Sequence, residues 1–200
     1  MHNDVRRVGG RPNEVRLIGG LWKRSKLPVA DRPGLRPTPD RVRETLFNWL
    51  GQDLRGQRVL DAFAGSGALG FEAASRGAAA VTLLESDAAL VKLLRDAKAR
   101  LRADTLQVVA ADALAWMARA APGSFDLVLL DPPFDRDLWP RALAVAAPLL
   151  VPGGMIYLEA PRAWTEWPAD YTLHRQARAG AVHFHLLAKL AASDARSDEP

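Results

Sequence analysis

The stretch LDAFAGSGALGFEA, Leu60 to Ala73, decides the fold. It begins as the end of an apolar run, passes through Gly65, Gly67 and Gly70 in a G-x-G-x-x-G spacing, and continues into an alanine-rich segment that ends at Gly77. A strand, a glycine loop and a helix in that order let the backbone turn tightly and approach a ligand with no Cβ in the way. The spacing alone is weak evidence, because tight strand-to-helix packing produces it too. Its surroundings are stronger. Asp61 closes the first strand, and Glu85 closes the next one, AAVTLLES, 20 residues after Gly65. At that position a carboxylate accepts the hydroxyls of a ribose, which implies a nucleoside-bearing cofactor.

Downstream, strand and helix patterns alternate for about 100 residues. AAVTLLES is followed by the amphipathic segment DAALVKLLRDAKARLRA, with Leu90, Leu93, Leu94, Ala97 and Leu101 on one side. TLQVVAA then predicts a third strand, DALAWMARA a short helix and FDLVLLD a fourth strand. A helix over DLWPRALAVAAPLLVPGG, with Pro140 near its start, leads to a fifth strand, GMIYLEAP. YTLHRQARA and AVHFHLLAKL are separated only by Gly180 and its neighbours, which is hairpin length and so antiparallel. The expected fold is α/β: a doubly wound, mostly parallel sheet with a C-terminal antiparallel hairpin and its working edge at the strand C-termini.

Upstream, EVRLIGGLWKRSKLPVAD predicts a small hairpin around Gly19 and Gly20 that carries Arg16, Trp22, Lys23, Arg24 and Lys26. RPGLRPTPD is a proline-rich connector, in which Thr38 suits a helix N-cap and Pro39 the first helical position. The helix PDRVRETLFNWL follows and stops at Gly51. Trp49 reads as core, whereas Trp22, among basic residues, reads equally as core or as a stacking surface. The expected organisation is a basic arm and hairpin over 1–35, a catalytic domain over 36–190 and a disordered tail over 191–200.

Composition narrows the chemistry. The 200 residues contain no cysteine, which removes disulfides, thiolate metal sites and a cysteine nucleophile. His183 and His185, at i and i+2, are expected on a solvated strand face, and no metal site is expected. Neither a secretory leader nor a membrane-length apolar run appears, so a cytoplasmic protein is expected. Residues 1–43 hold 11 Lys and Arg against four acids, a net of +7, while the remainder nets −3. A basic N-terminal arm of this kind suits a phosphate backbone, although a solvated tail has the same composition.

The fourth strand ends in LLDPPF, where Asp131, Pro132, Pro133 and Phe134 set a carboxylate, a rigid corner and an aromatic ring at the working edge. Proline lacks a donor for the sheet and holds the preceding residue extended. Asp61, just before the glycines, would repel a pyrophosphate but attract a cationic amine. That choice favours S-adenosylmethionine, which bears an amino group and a sulfonium, over a dinucleotide.

With LDAFAGSG, LLES, AADAL and DPPF in this order, the chain resembles the Rossmann-like S-adenosylmethionine-dependent methyltransferases. RLIGGLWKRSKL and RPTPDRVRETLFNWL are similar, more specifically, to the RsmD family, over about residues 14–190. The resemblance implies methyl transfer to the exocyclic N2 of a guanine in small-subunit (16S) ribosomal RNA. A small basic arm alone gives salt-sensitive affinity with little sequence reading, so an assembly particle is the expected substrate state, and a monomer is expected. It also implies that Asp61, Phe63, Gly65 and Gly67 surround the methionine part of the cofactor, with Glu85 on the ribose, Ser86 on the adenosine, Asp112 and Ala113 near the adenine, and Thr38, Arg41 and Glu44 over the cofactor. Asp112 also reads as an N-cap. Asp131 and the Pro132 carbonyl would hold the amine, and Phe134 would stack on a flipped base. An adenine amino-methyltransferase acting on another RNA or on DNA shares the same tetrapeptide. A nucleotide-dependent oxidoreductase and a non-catalytic RNA-binding protein are the readings from other classes.

Overall fold

The computed structural model describes residues 14–30, 38–133 and 137–191. Strands β1 (Glu14–Arg16) and β2 (Lys26–Pro28) form the expected N-terminal antiparallel hairpin, and α1 (Asp40–Trp49) follows. The alternating body runs β3 (Arg58–Asp61), α2 (Ala68–Ser75), β4 (Ala80–Glu85), α3 (Ala88–Leu101), β5 (Leu106–Ala110), α4 (Ala113–Met117), β6 (Phe125–Leu130), α5 (Trp139–Ala146) and β7 (Leu150–Ala160). It closes with β8 (Tyr171–Ala179) and β9 (Val182–Lys189).

The seven-stranded sheet has the order β5-β4-β3-β6-β7-β9-β8; the first five strands are parallel and β9 is antiparallel to both of its neighbours. Chain order reverses between β3 and β6, so the ligand-binding crevice of such a sheet opens where the glycine loop and the Asp-Pro-Pro corner leave their strands. One core packs Leu46 and Phe47 of α1, Phe71 of α2 and Leu94 of α3 against Val59, Leu83, Leu129 and Tyr157. Val15, Leu17 and Leu27 of the hairpin region join that same cluster. On the other face Leu114 and Leu143 pack against Leu60, Leu84, Val128 and Ile156.

Three local expectations change. Thr38 does not cap α1: Pro39 occupies the N-cap with φ −56° and ψ 148°, no side chain caps the helix, and the Thr38 hydroxyl is engaged elsewhere. The fifth strand begins at Leu150 rather than near Gly154, because the chain pairs with β6 at Phe125 and then passes through an irregularity in register. His185 is not solvated but 1% exposed. The connection after β7 folds over it: the Trp164 N–H donates to His185 Nε2 at 3.3 Å, and the Trp167 ring lies 5.4 Å from the imidazole. Burial lowers the pKa of His185.

Candidate active site

Strand register places four acids along one edge and on one face of the sheet. Asp61 pairs with Leu83 on one side and Leu129 on the other. Glu85 and Asp131 lie two residues beyond those partners, and side chains two apart share a face. Leu130 pairs with Leu158, so Glu159 stands beside Asp131. The row across the sheet is therefore Glu85, Asp61, Asp131, Glu159.

Asp61 is 2% exposed, and its Oδ2 accepts the Gly70 N–H at 2.9 Å. A Cβ at position 70 would run into Leu83 and Asp61, so the third glycine of the motif is required by the close packing of α2 on the sheet. Gly67 caps α2 in the left-handed region at φ 78°, which turns the loop into the helix. Glu85 organises the same loop from the next strand: Gly65 N–H donates to its Oε2 at 2.9 Å, while Ser86 and Asp87 N–H donate to Oε1 at 2.7 and 2.8 Å. Ala110 pairs with Glu85, so Asp112 follows on the adjoining strand end, where its carboxylate accepts the Ala115 N–H at 2.8 Å and caps α4. Ala113 is buried behind it, Phe63 is half-buried, and Ser86 and Arg41 are exposed.

At the switch point, Thr38 Oγ1 donates to Asp131 Oδ2 at 3.2 Å and Pro132 is buried. Phe134 lies outside the described residues. Burial, followed by the charges of Asp131 and Glu85, pushes Asp61 up to about 7 despite the Gly70 hydrogen bond. Burial pushes Asp131 up to about 6. Glu159, 3% exposed, is raised well above the ordinary carboxyl value by burial and by Asp131. Among the described residues, no Lys or Arg forms an ion pair with Asp61, Asp131 or Glu159. A buried acidic row without a basic partner fits a cationic ligand. The glycine loop beside it presents backbone rather than side chains, which suits S-adenosylmethionine, whose amino group and sulfonium bring the missing positive charge.

The N-terminal hairpin is fixed to this framework by residues that the sequence did not single out. Glu72 of α2 is fully buried and accepts the Ile18 and Gly19 N–H groups at 2.9 and 2.7 Å. Arg76 pairs with it at 2.8 Å, and the buried Arg43 of α1 at 3.4 Å. Arg43 also donates to the carbonyls of Arg16 and Thr38. Ser75 receives the Trp22 N–H and donates to the Gly19 carbonyl. The turn consequently presents Lys23, Arg24 and the 81%-exposed Leu21 outward, with Trp22 half-buried against the core. Arg16 and Lys26 are exposed on the hairpin, the latter paired with Glu14 at 2.7 Å. Beside the turn lies a polar cleft of about 500 Å³ that includes Gly20, Lys23, Glu44, Asn48 and Arg76 in its walls. Glu72 and Arg76 stand at the local i,i+4 spacing at the end of α2, but the arrival of Arg43 from α1 has no local sequence signal. Glu159 and Tyr157 were legible only as strand residues.

Comparison with known proteins agrees with this architecture. The family model described as Conserved hypothetical protein 95 matches residues 15–188. Ribosomal RNA small subunit methyltransferase D of Escherichia coli K12 is 41% identical, over 92% of this chain and 95% of its own length. The protein of the same name from Haemophilus influenzae is 40% identical, over 86% and 93% respectively. A solved structure described as putative methyltransferase yhhF from Escherichia coli superposes with a TM-score of 0.79 at 43% identity, covering 90% of this chain and 99% of that one.

Proposed function

We propose, from the premise that the chain belongs to the RsmD family of S-adenosylmethionine-dependent methyltransferases, that it methylates the exocyclic N2 amine of a guanine in small-subunit (16S) ribosomal RNA. The observation that carries the proposal is the half-buried Asp131 carboxylate at the switch point, held by Thr38 and followed by a rigid proline corner. Similarity to the small-subunit enzymes over nearly their whole length supports the RNA substrate.

S-adenosylmethionine, when bound, supplies the methyl group and takes up the electron pair of the broken carbon–sulfur bond. The chain supplies position and electrostatics. Asp61 attracts the cationic end of the cofactor, Gly65 and Gly67 leave room for it, Glu85 receives the ribose, and Asp112 with Ala113 flanks the adenine. Thr38 and Arg41 cover the crevice from the start of α1, with Phe63 and Ser86 along its rim. A guanine amine is a poor nucleophile because its lone pair is delocalised into the ring. Hydrogen bonds from N2–H to the Asp131 carboxylate and the Pro132 carbonyl localise that pair and direct it at the methyl carbon, and Asp131 receives the proton that N2 gives up. Phe134, after Pro133, stacks on the base once it is flipped out of its surroundings. Arg16, Trp22, Lys23, Arg24 and Lys26 hold the RNA from the hairpin, chiefly through phosphates. The enzyme acts as a monomer in the cytoplasm on a small-subunit assembly particle.

The test is transfer of labelled methyl groups to small-subunit particles, naked 16S rRNA and duplex DNA, followed by nucleoside analysis. N2-methylguanosine from RNA supports the proposal. Label in adenine or in DNA overturns it.

A further inference from the structure

We infer, on the reading of the crevice given above, that Arg162 is a substrate-binding residue that takes a phosphate of the RNA beside the flipped guanosine, and that Trp164 and His185 are positioning residues that hold it there. Leu130 pairs with Leu158, so Pro132 stands beside Ala160, and Arg162 leaves the sheet two residues later at the edge where the Asp-Pro-Pro corner follows β6. Leu158 also pairs with His185 of β9, and cross-strand partners share a face. On that face the Trp164 N–H donates to His185 Nε2 at 3.3 Å, the Trp164 indole N–H donates to the Glu166 carbonyl at 2.5 Å, and the Trp167 ring lies 5.4 Å from the imidazole. Both indoles pack against the core there. Over the ring of Trp164, 5.5 Å from its centroid, lies the guanidinium of Arg162. Arg162 is exposed and forms no ion pair among the described residues. A guanidinium laid on an indole spends its flat face on the ring and keeps the N–H donors at its rim for an anion.

A polynucleotide that delivers a base to Asp131 carries its phosphates to an edge lined by Glu85, Asp61, Asp131 and Glu159. The cations of the hairpin turn stand away from that edge. The Leu21 N–H donates to the Ser75 carbonyl, which puts the turn at the end of α2 opposite Gly67, about 12 Å along an eight-residue helix. On the α1 side of the corner the exposed cation is Arg41, and on the β7 side it is Arg162. A cation whose plane is already set loses little side-chain freedom when a phosphate arrives, so its stacking on Trp164 becomes affinity. Phosphate contacts position a strand without reading its bases, so Arg162 fixes where the guanosine lies and not which base is accepted.

Arg162→Ala is expected to raise the KM for small-subunit particles about 3- to 10-fold and to lower the salt slope of binding by about one, with kcat at saturation and S-adenosylmethionine affinity by calorimetry unchanged. Arg162→Lys, which keeps the charge but not the stacked plane, should recover part of the loss. Trp164→Ala should raise KM about two- to threefold, Trp164→Phe should restore it, and Trp164→Ala added to Arg162→Ala should cost nothing further. His185→Ala should behave as Trp164→Ala, and His185→Gln, whose amide carbonyl can accept the Trp164 N–H, as the parent. Unchanged KM and salt slope in Arg162→Ala overturn the inference, as does a fall in kcat or in cofactor affinity in place of the rise in KM. The chain has no cysteine, so Ala163→Cys, exposed beside Arg162, carries the sole thiol, and with a benzophenone attached it is expected to crosslink small-subunit rRNA near the methylated guanine. Crosslinks only elsewhere, or none, also overturn it. Absence of methyl transfer by the parent overturns instead the reading of the crevice, and the crosslink, which needs no transfer, then decides whether this segment meets RNA.

Discussion

Two buried groups of charge lie at the two sides of α2 and are built on opposite terms. Glu72, near the end of the helix that faces the N-terminal turn, is surrounded by two backbone N–H groups and the guanidiniums of Arg43 and Arg76. At the other end Asp61 and Glu159 are buried and Asp131 is half-buried, with hydrogen bonds from Gly70, Tyr157 and Thr38 but with no ion pair among the described residues. The first group is complete in the protein alone and joins the hairpin to the domain. The second is raised toward neutrality by burial and, at Asp61, by the neighbouring carboxylates, as a site proposed to receive a cationic ligand would be. Charge compensation therefore separates the acid that builds the fold from the acids proposed to bind and react. Arg43 connects the two, since it pairs with Glu72 and donates to the carbonyl of Thr38, whose hydroxyl reaches Asp131.

The comparison is broken most severely at Asp131. Asp131→Ala is expected to lower kcat by about 10²- to 10³-fold, as loss of one well-placed polar group at a reacting atom does. Cofactor affinity by calorimetry should be little changed. Glu72→Ala should do the reverse. It deprives the buried Arg43 of one of its two carboxylate partners, and Arg76 and the Ile18 and Gly19 N–H groups of theirs, and should cost about 3–5 kcal/mol of stability in urea unfolding. The surviving folded fraction should bind cofactor normally. A Glu72→Ala protein of unchanged stability would show that the compensated group does not hold the hairpin.

Acidity sharpens the contrast further. Asp61 stands at about 7 in the folded chain against an ordinary 3.8, a difference of about 4 kcal/mol. Between those values the folded state binds more protons than the unfolded one, so its stability falls as pH rises from about 4 to about 7 and the deficit is full above that range. Asp61→Asn, which can still accept from Gly70, should reduce the slope and leave the smaller one due to Asp131 and Glu159, as measured by denaturation midpoints at pH 5 and pH 7.5. The smallest effect is expected at the turn. Lys23→Ala or Arg24→Ala should weaken RNA binding a few-fold and lower the salt slope by about one per residue, with kcat on saturating RNA unchanged.

The sheet and the acids at its edge were legible because periodicity and strand-end position are local properties of the chain. LDAFAGSG and LLES place Asp61 and Glu85 without knowledge of any contact. The rest depends on register and packing. Glu159 gains its significance only from the pairing of β7 with β6, which sets it beside Asp131. The isolated spacing of Thr38 and Pro39 reads as a helix start, yet the threonine hydroxyl turns to a carboxylate 93 residues away. Alternation put His183 and His185 on one face correctly, but the Trp164–Trp167 segment that buries His185 gives no sign of doing so in sequence.

The most direct test of the uncompensated acidic row is isothermal titration of S-adenosylmethionine at pH 6 in buffers of different ionisation enthalpy. Binding of the cation should ionise Asp61 and release up to about one proton, and Asp61→Asn should bind more weakly and release measurably less. Equal affinity and equal proton release in the parent and Asp61→Asn would contradict the assignment of Asp61 as the cofactor's counter-charge.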